Sequence, residues 1–134
     1  MTKYKSKKIE CDGIMFDSKD ECKYYELLKQ RKKDGIITGF ELQPKYELIP
    51  KYTKDDVKVR AMSYSPDFRI YHNNGSIELV DIKGFSTQQG DIRRKLFNYL
   101  YSEKLTWLSR NGKYSDESGF VEYDLLKKLR KDNK

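Results

Sequence analysis

Residues 64–84 read Tyr64-Ser65-Pro66-Asp67-Phe68-Arg69-Ile70-Tyr71-His72-Asn73-Asn74-Gly75-Ser76-Ile77-Glu78-Leu79-Val80-Asp81-Ile82-Lys83-Gly84. Two β-prone runs flank Asn73-Asn74-Gly75, a turn signal, so the stretch predicts a hairpin. Side chains alternate along a strand, which puts Asp81 and Lys83 on one face and Val80 and Ile82 on the other. With a three-residue loop, His72 and Ser76 flank the turn, and counting back along both strands sets Asp67 opposite Asp81. A two- or four-residue loop, or a bulge, shifts that register. Opposed residues have Cβ atoms about 4.5–5.5 Å apart, and like charges there destabilise a sheet. A divalent cation relieves this, since carboxylate oxygens are the hard ligands that Mg²⁺ or Mn²⁺ prefer. Lys83 is then placed to orient or deprotonate a water, or to stabilise charge on a phosphate.

Working outward, Ser18 to Lys33 carries Cys22, Tyr25 and Leu28 at helical spacing, opens with Ser18-x-x-Glu21 and stops at Asp34-Gly35. Glu21 has two readings. It is the glutamate of a capping box, or it shares the docking face of Tyr25 and Leu28 and adds a third carboxylate to the site. Asp67 and Lys83 likewise read singly as a turn aspartate and a strand-end lysine. The combination of Pro-Asp, Asp-x-Lys and an intervening hairpin favours the chemical reading.

Residues 36–43 and 46–49 are β-prone, with pairing between them interrupted by Pro44, and Lys51 to Asp56 reads as a charged loop. Val57 to Tyr64 continues extended. A helix is predicted from Asp91 to Glu103, with Ile92, Leu96, Tyr99 and Leu100 on its core face and Arg93, Arg94 and Lys95 on the other. Leu105 to Ser109 predicts a strand, and Val121 to Lys131 a last helix with Leu125, Leu126 and Leu129 inward. The order α-β-β-β-α-β-α indicates an α/β fold, a mixed sheet flanked by helices. No linker divides the 134 residues, so one domain is expected, with a basic lead at 1–10 and a basic helix and tail at 121–134.

The 28 Lys and Arg exceed 21 Asp and Glu, a formal net charge of +7. Such a surplus favours a polyanionic partner, because each phosphate neutralised releases counterions. The 11 Tyr, 6 Phe and 1 Trp supply a core despite a hydrophobic content of only 37%. No apolar run approaches the roughly 20 residues of a membrane helix, and no signal-peptide core follows the N-terminal lysines. A cytoplasmic protein without membrane association is expected. Cys11 and Cys22 are then expected to be reduced, and with one histidine, His72, placed in the turn, they are too few for a structural zinc site.

Pro66-Asp67 and Asp81-Ile82-Lys83 resemble the motif of the PD-(D/E)xK nuclease superfamily, which includes type II restriction enzymes, Holliday-junction resolvases and phage endonucleases. More narrowly, the run Gly13-Ile14-Met15-Phe16-Asp17-Ser18-Lys19-Asp20-Glu21, then Tyr24-Tyr25, Leu42-Gln43-Pro44, Pro66-Asp67-Phe68 and Val80-Asp81-Ile82-Lys83-Gly84, is similar to small bacteriophage-encoded proteins of that superfamily, over roughly residues 7 to 100. The resemblance implies a restriction-endonuclease-like core. It implies Asp67 and Asp81 as metal ligands, Lys83 as the catalytic lysine, Glu21 as a further ligand or water-positioning group, and Mg²⁺ or Mn²⁺ as cofactor. Gln43 and Lys95 match extra polar positions near the phosphate; the first reads equally as a strand-end cap and the second as a surface lysine.

The expected activity is hydrolysis of DNA phosphodiester bonds, selective for branched or flapped structure, in the host cytoplasm if the protein is phage-encoded. Arg93, Arg94, Lys95, Lys3 to Lys8 and Lys127 to Lys131 are candidate backbone contacts; these give affinity without sequence readout. A homodimer would supply two active sites for two strands. The alternatives are a catalytically silent DNA-binding module and a protein-interaction factor acting on a host or mobile-element regulator.

Overall fold

The computed structural model describes residues 8–132. The lysines at 3, 5 and 7 of the basic lead and the last two residues of the tail lie outside that range. Ile9–Cys11 (β1), at the end of the expected basic lead, pairs with Ile14–Phe16 (β2) in a hairpin. Its turn needs positive φ at both central residues, supplied by Asp12 (53°) and Gly13 (77°).

Helix α1 spans Lys19–Lys33, and Ser18 caps it, its Oγ accepting from the Glu21 N–H at 3.1 Å. At the other end Gly35 takes φ 75° while the Gly35 and Ile36 N–H groups donate to the Lys32 and Arg31 carbonyls. This is a Schellman motif, and it ends the helix where the sequence indicates.

The central sheet has five strands in the order β11-β10-β9-β8-β3: Phe120–Glu122 (β11), Lys104–Arg110 (β10), Ile77–Ile82 (β9), Phe68–His72 (β8) and Ile37–Leu42 (β3). β9 and β10 are parallel and the other pairs antiparallel, so the sheet is mixed. The parallel connection runs through helix α2, Gln88–Leu100. Val80 packs on one face with Tyr24 and Leu28 of α1. Its neighbour Leu79 packs on the other face with Phe97 of α2. Strand alternation thus feeds two cores, and β9 is buried on both sides. The fold is a mixed α/β arrangement of this sheet, small hairpins and three helices, the last being α3, Tyr123–Asp132.

Between β3 and β8 the chain leaves the sheet as an arm. Tyr46–Ile49 (β4) pairs with Met62–Tyr64 (β7), and Tyr52–Lys54 (β5) pairs with Val57–Val59 (β6). β3 and β4 therefore do not pair; each takes a partner from later in the chain. The stretch expected as a charged loop is a hairpin, because Asp55 and Asp56 accept the positive φ values (51° and 64°) of a tight turn.

Three further expectations are corrected. α2 begins at Gln88, with the Thr87 hydroxyl accepting from the Gly90 N–H at 3.0 Å. The side-chain cap carries the helix through a glycine that suggests a loop. Its core face centres on Phe97, fully buried, whereas Ile92, Tyr99 and Leu100 are 54%, 86% and 47% exposed. Residues 120–122 form a strand on the edge of the sheet, with Val121 opposite Ser109, so the last helix starts at Tyr123, and Leu125 faces outward. Cys11 and Cys22 are joined as a disulfide, Cα atoms 6.3 Å apart, tying the first hairpin to α1. Folding of β1 beside the first turn of α1 brings together two cysteines that spacing alone does not connect. No helix among the described residues is long and apolar enough to cross a membrane.

Candidate active site

The β8–β9 hairpin has a three-residue loop: the His72 N–H donates to the Ser76 carbonyl at 2.9 Å, and Phe68 lies opposite Val80. One further step in that register sets Asp67 opposite Asp81. His72 itself ends β8, its Nε2 3.0 Å from Glu78 Oε1, so it is a partly exposed member of a polar pair on the sheet. Asp67 Oδ2 accepts from the Ile82 N–H at 2.8 Å. This bond is available because β8 starts at Phe68, freeing the residue before it to turn across the hairpin.

Asp81 is 5% exposed. Its Oδ2 accepts from the Tyr64 hydroxyl at 2.7 Å and lies 3.3 Å from Lys83 Nζ. Trp107 Nε1 donates to the Tyr64 oxygen at 3.0 Å, so a chain of donors runs from β10 through the arm to the carboxylate. Lys83 Nζ sits 4.9 Å from the centre of the Trp107 ring, a cation–π contact that holds the ammonium beside the acid. Burial, then Asp81, raises the Tyr64 pKa well above the usual phenol range, which keeps the hydroxyl a donor.

Glu21 approaches the same strand ends from the first turn of α1 and is 8% exposed. Burial raises its pKa from 4.5 to about 7, with Asp17 and Asp81 adding repulsion and Ser18 and the Asp17 backbone opposing it by hydrogen bonding. Asp67 is also raised far above the ordinary carboxylate range, by burial first and by Asp81 beside it second. Glu21 and Asp67 are close enough to Asp81 for its charge to raise both, an arrangement costly for folding alone. The trio is not a closed cage: among the described residues, the three-residue group with ligand atoms mutually within 4.8 Å is Cys11, Cys22 and Glu26. Two of those are the disulfide sulfurs and offer no thiolates. The chemistry of the donor set at Glu21, Asp67 and Asp81, all hard oxygens, fits Mg²⁺ or Mn²⁺.

Two openings meet at Glu21. A cavity of about 100 Å³ is lined by Met15, Phe16, Glu21, Gln43 and Asp67 among others. A second of about 360 Å³ is lined by Asp17, Asp20, Glu21, Ile82, Lys83 and Gly84. Gln43 therefore does stand at the carboxylates. Its backbone is left-handed (φ 47°) and its N–H donates to the Asp67 carbonyl at 2.9 Å. Non-glycine residues rarely take this conformation, and it persists where surrounding structure holds it.

The α2 cations are not brought to this pocket. Arg93 Nε donates to the Ser63 carbonyl at 3.3 Å. The Arg94 guanidinium lies 3.9 Å from the Trp107 ring centre and bonds Asp124 Oδ2 at 2.9 Å. Both are half-buried and already hold partners on the protein, Arg94 at the wall of an open cleft. Lys95 is exposed and lines the same cleft, of about 540 Å³, with Asn98, Lys104 and Trp107. Sequence reasoning gave no role to Tyr64 and Trp107, which fix Asp81 and Lys83. A tyrosine two residues before Pro66-Asp67 and the single tryptophan at the centre of a predicted strand were the available signals.

Residues 1–116 match the family model of DUF1064, described as a protein of unknown function, and the chain belongs to this family. Comparison with curated proteins finds no match.

Proposed function

We propose that the protein is a Mg²⁺- or Mn²⁺-dependent DNA endonuclease that hydrolyses phosphodiester bonds, selective for branched or flapped structure, on a restriction-endonuclease-like core. The observation that carries this reading is the hairpin register with Phe68 opposite Val80, which extended by one step sets Asp67 opposite Asp81, with Lys83 Nζ 3.3 Å from Asp81 and a third buried carboxylate, Glu21, close enough to couple electrostatically to both aspartates. A mixed sheet entered by a helix that brings a glutamate to the same strand ends supports it.

Asp67 and Asp81 would hold the metal, with Glu21 completing the set. Bound there, the ion supplies positive charge to a phosphate oxygen and lowers the pKa of a water. The chain's own residues do the rest. Tyr64 and the Ile82 N–H fix the two aspartates in orientation, each through its Oδ2. Lys83, held between Asp81 and the Trp107 ring, can hydrogen-bond a phosphate oxygen or position the attacking water. Gln43 stands where its amide reaches the same pocket.

The test is incubation of supercoiled plasmid and branched DNA with the protein in Mg²⁺, Mn²⁺ or EDTA. Nicking or cleavage with metal and none in EDTA is the expected result. Binding without cleavage moves the reading to a silent DNA-binding module. A second reading, a factor whose partner is a protein, is favoured by the exposed apolar side chains Ile92, Tyr99 and Leu100 on α2. It predicts that the protein neither cuts nor binds DNA. A homodimer covering that stripe would be compatible with the first reading and is resolved by sedimentation.

A further inference from the structure

The arm between β3 and β8 is rooted in the candidate site at both ends. The Gln43 N–H to Asp67 carbonyl bond closes its base, and Tyr64 on β7 bonds Asp81. Beyond Pro50 the arm continues as the β5–β6 hairpin. Ile49 opposes Met62 and Tyr52 opposes Val59, so the two ladders keep one register across the break. At the usual rise per residue, Tyr46 to Lys54 spans roughly 25 Å. The hairpin is exposed along its length except at Val59, which is half-buried.

Strand alternation sorts its side chains. Lys51, Thr53, Lys58 and Arg60 share one face; Tyr52, Lys54, Val57 and Val59 share the other. Among the described residues no hydrogen bond or ion pair engages Lys51, Lys54, Lys58 or Arg60, in contrast to Arg93 and Arg94. Tyr52, Thr53, Lys58 and Arg60 also border an open cleft of about 500 Å³ on the hairpin. The turn carries Asp55 and Asp56. Cations on the flank with carboxylates at the tip do not suit a uniform anionic surface. They suit a groove whose walls are phosphates and whose floor offers exocyclic amines, from which Asp side chains accept.

We infer that the β5–β6 hairpin is a duplex-binding ribbon. It enters the major groove of B-form DNA with Lys51, Lys58 and Arg60 on the phosphates, and it delivers the neighbouring backbone to the Asp67–Asp81 pocket. The inference rests on the nuclease reading for its purpose but not for its test. The major groove of B-DNA, about 12 Å wide, admits a two-stranded ribbon. The deep, narrow major groove of an RNA duplex does not. The arm therefore selects DNA over RNA and a double-stranded flank over a single strand.

The experiment measures binding by fluorescence anisotropy, in EDTA, of the full chain to a labelled DNA duplex of about two helical turns. It compares wild type, the triple variant Lys51→Ala/Lys58→Ala/Arg60→Ala and the charge-matched control Lys23→Ala/Lys32→Ala/Lys33→Ala. The arm variant is expected to bind at least about tenfold more weakly, and its slope of log Kd against log salt to fall by about 0.9 for each phosphate that it no longer neutralises. Its melting temperature should match wild type, since the substituted side chains hold no core. Unlabelled RNA duplex of the same sequence should compete poorly. Equal losses of affinity in the arm and control variants, an unchanged salt slope, or equal competition by the RNA duplex would each overturn the inference. A wild type that binds through the arm yet never cuts leaves it standing and removes the nuclease reading; a wild type that cuts with arm-variant binding unchanged does the reverse.

Discussion

Replacing Glu21 by glutamine should stabilise the protein at neutral pH, although it alters a buried residue in the first turn of a helix. Burial, helped by Asp17 and Asp81, raises the carboxyl from 4.5 to about 7. In the unfolded chain it titrates at the ordinary value. Between these two pH values the native state keeps a proton that the unfolded state has lost, so this group makes stability fall as pH rises. Below about 4.5 both states are protonated and the penalty is absent; above about 7 it is complete. At 1.36 kcal/mol per pH unit the full penalty is up to about 3 kcal/mol. For a domain of this size that is about 10 °C in melting temperature. Glutamine serves at the same capping-box position, so the helix start is preserved. The assay is thermal unfolding of wild type and Glu21→Gln in EDTA at pH 4 and pH 8. The variant should melt close to wild type at pH 4 and well above it at pH 8. Saturating Mg²⁺ should narrow the gap by stabilising wild type more than the variant, which keeps Asp67 and Asp81 but loses one anionic ligand. A gain equal at both pH values, or a loss at pH 8, would refute the reasoning that Glu21 is a destabilising buried anion.

Other outcomes follow from the same geometry. Mg²⁺ or Mn²⁺ at 100 times its dissociation constant should stabilise wild type by about 2.7 kcal/mol, and the gain should shrink in Asp81→Ala; an equal shift in both would place metal elsewhere. Reduction, or Cys22→Ser, should cost about 3 kcal/mol in denaturant unfolding, from opening of the loop closed between Cys11 and Cys22. Phe97→Ala, at a fully buried ring packed against Tyr46, Tyr64 and Tyr101, should cost about 3–5 kcal/mol and reveal α2 as the second core.

What the sequence disclosed follows the range of the interactions involved. The β8–β9 hairpin and its register were legible because a tight turn and strand alternation are local, and α1 because Ser18 and Gly35 mark its ends. The α2 face was legible only in part, because Ile92 and Tyr99 match the expected period but stay exposed, while the helix docks through Phe97 and Leu96. The β5–β6 hairpin was hidden by its charge, since its strands have no core to pack on and lack an apolar pattern. The disulfide and the separation of β3 from β4 are set by partners distant in the chain. At the site, Asp67, Asp81 and Lys83 could be placed from one hairpin. Tyr64 and Trp107 could not, because their roles depend on the arm and the parallel strand meeting over Asp81.

The most direct measurement is the cleavage rate of a flapped or four-way-junction DNA in Mg²⁺ or Mn²⁺ by wild type, Asp81→Ala and Lys83→Ala purified identically. Wild type is expected to cut, and each variant to be slower by at least about 100-fold, the usual scale for losing a positioned acid, base or charge-stabilising group. Cleavage by Asp81→Ala at the wild-type rate would contradict the assignment of the Asp67–Asp81–Lys83 cluster as the seat of the chemistry.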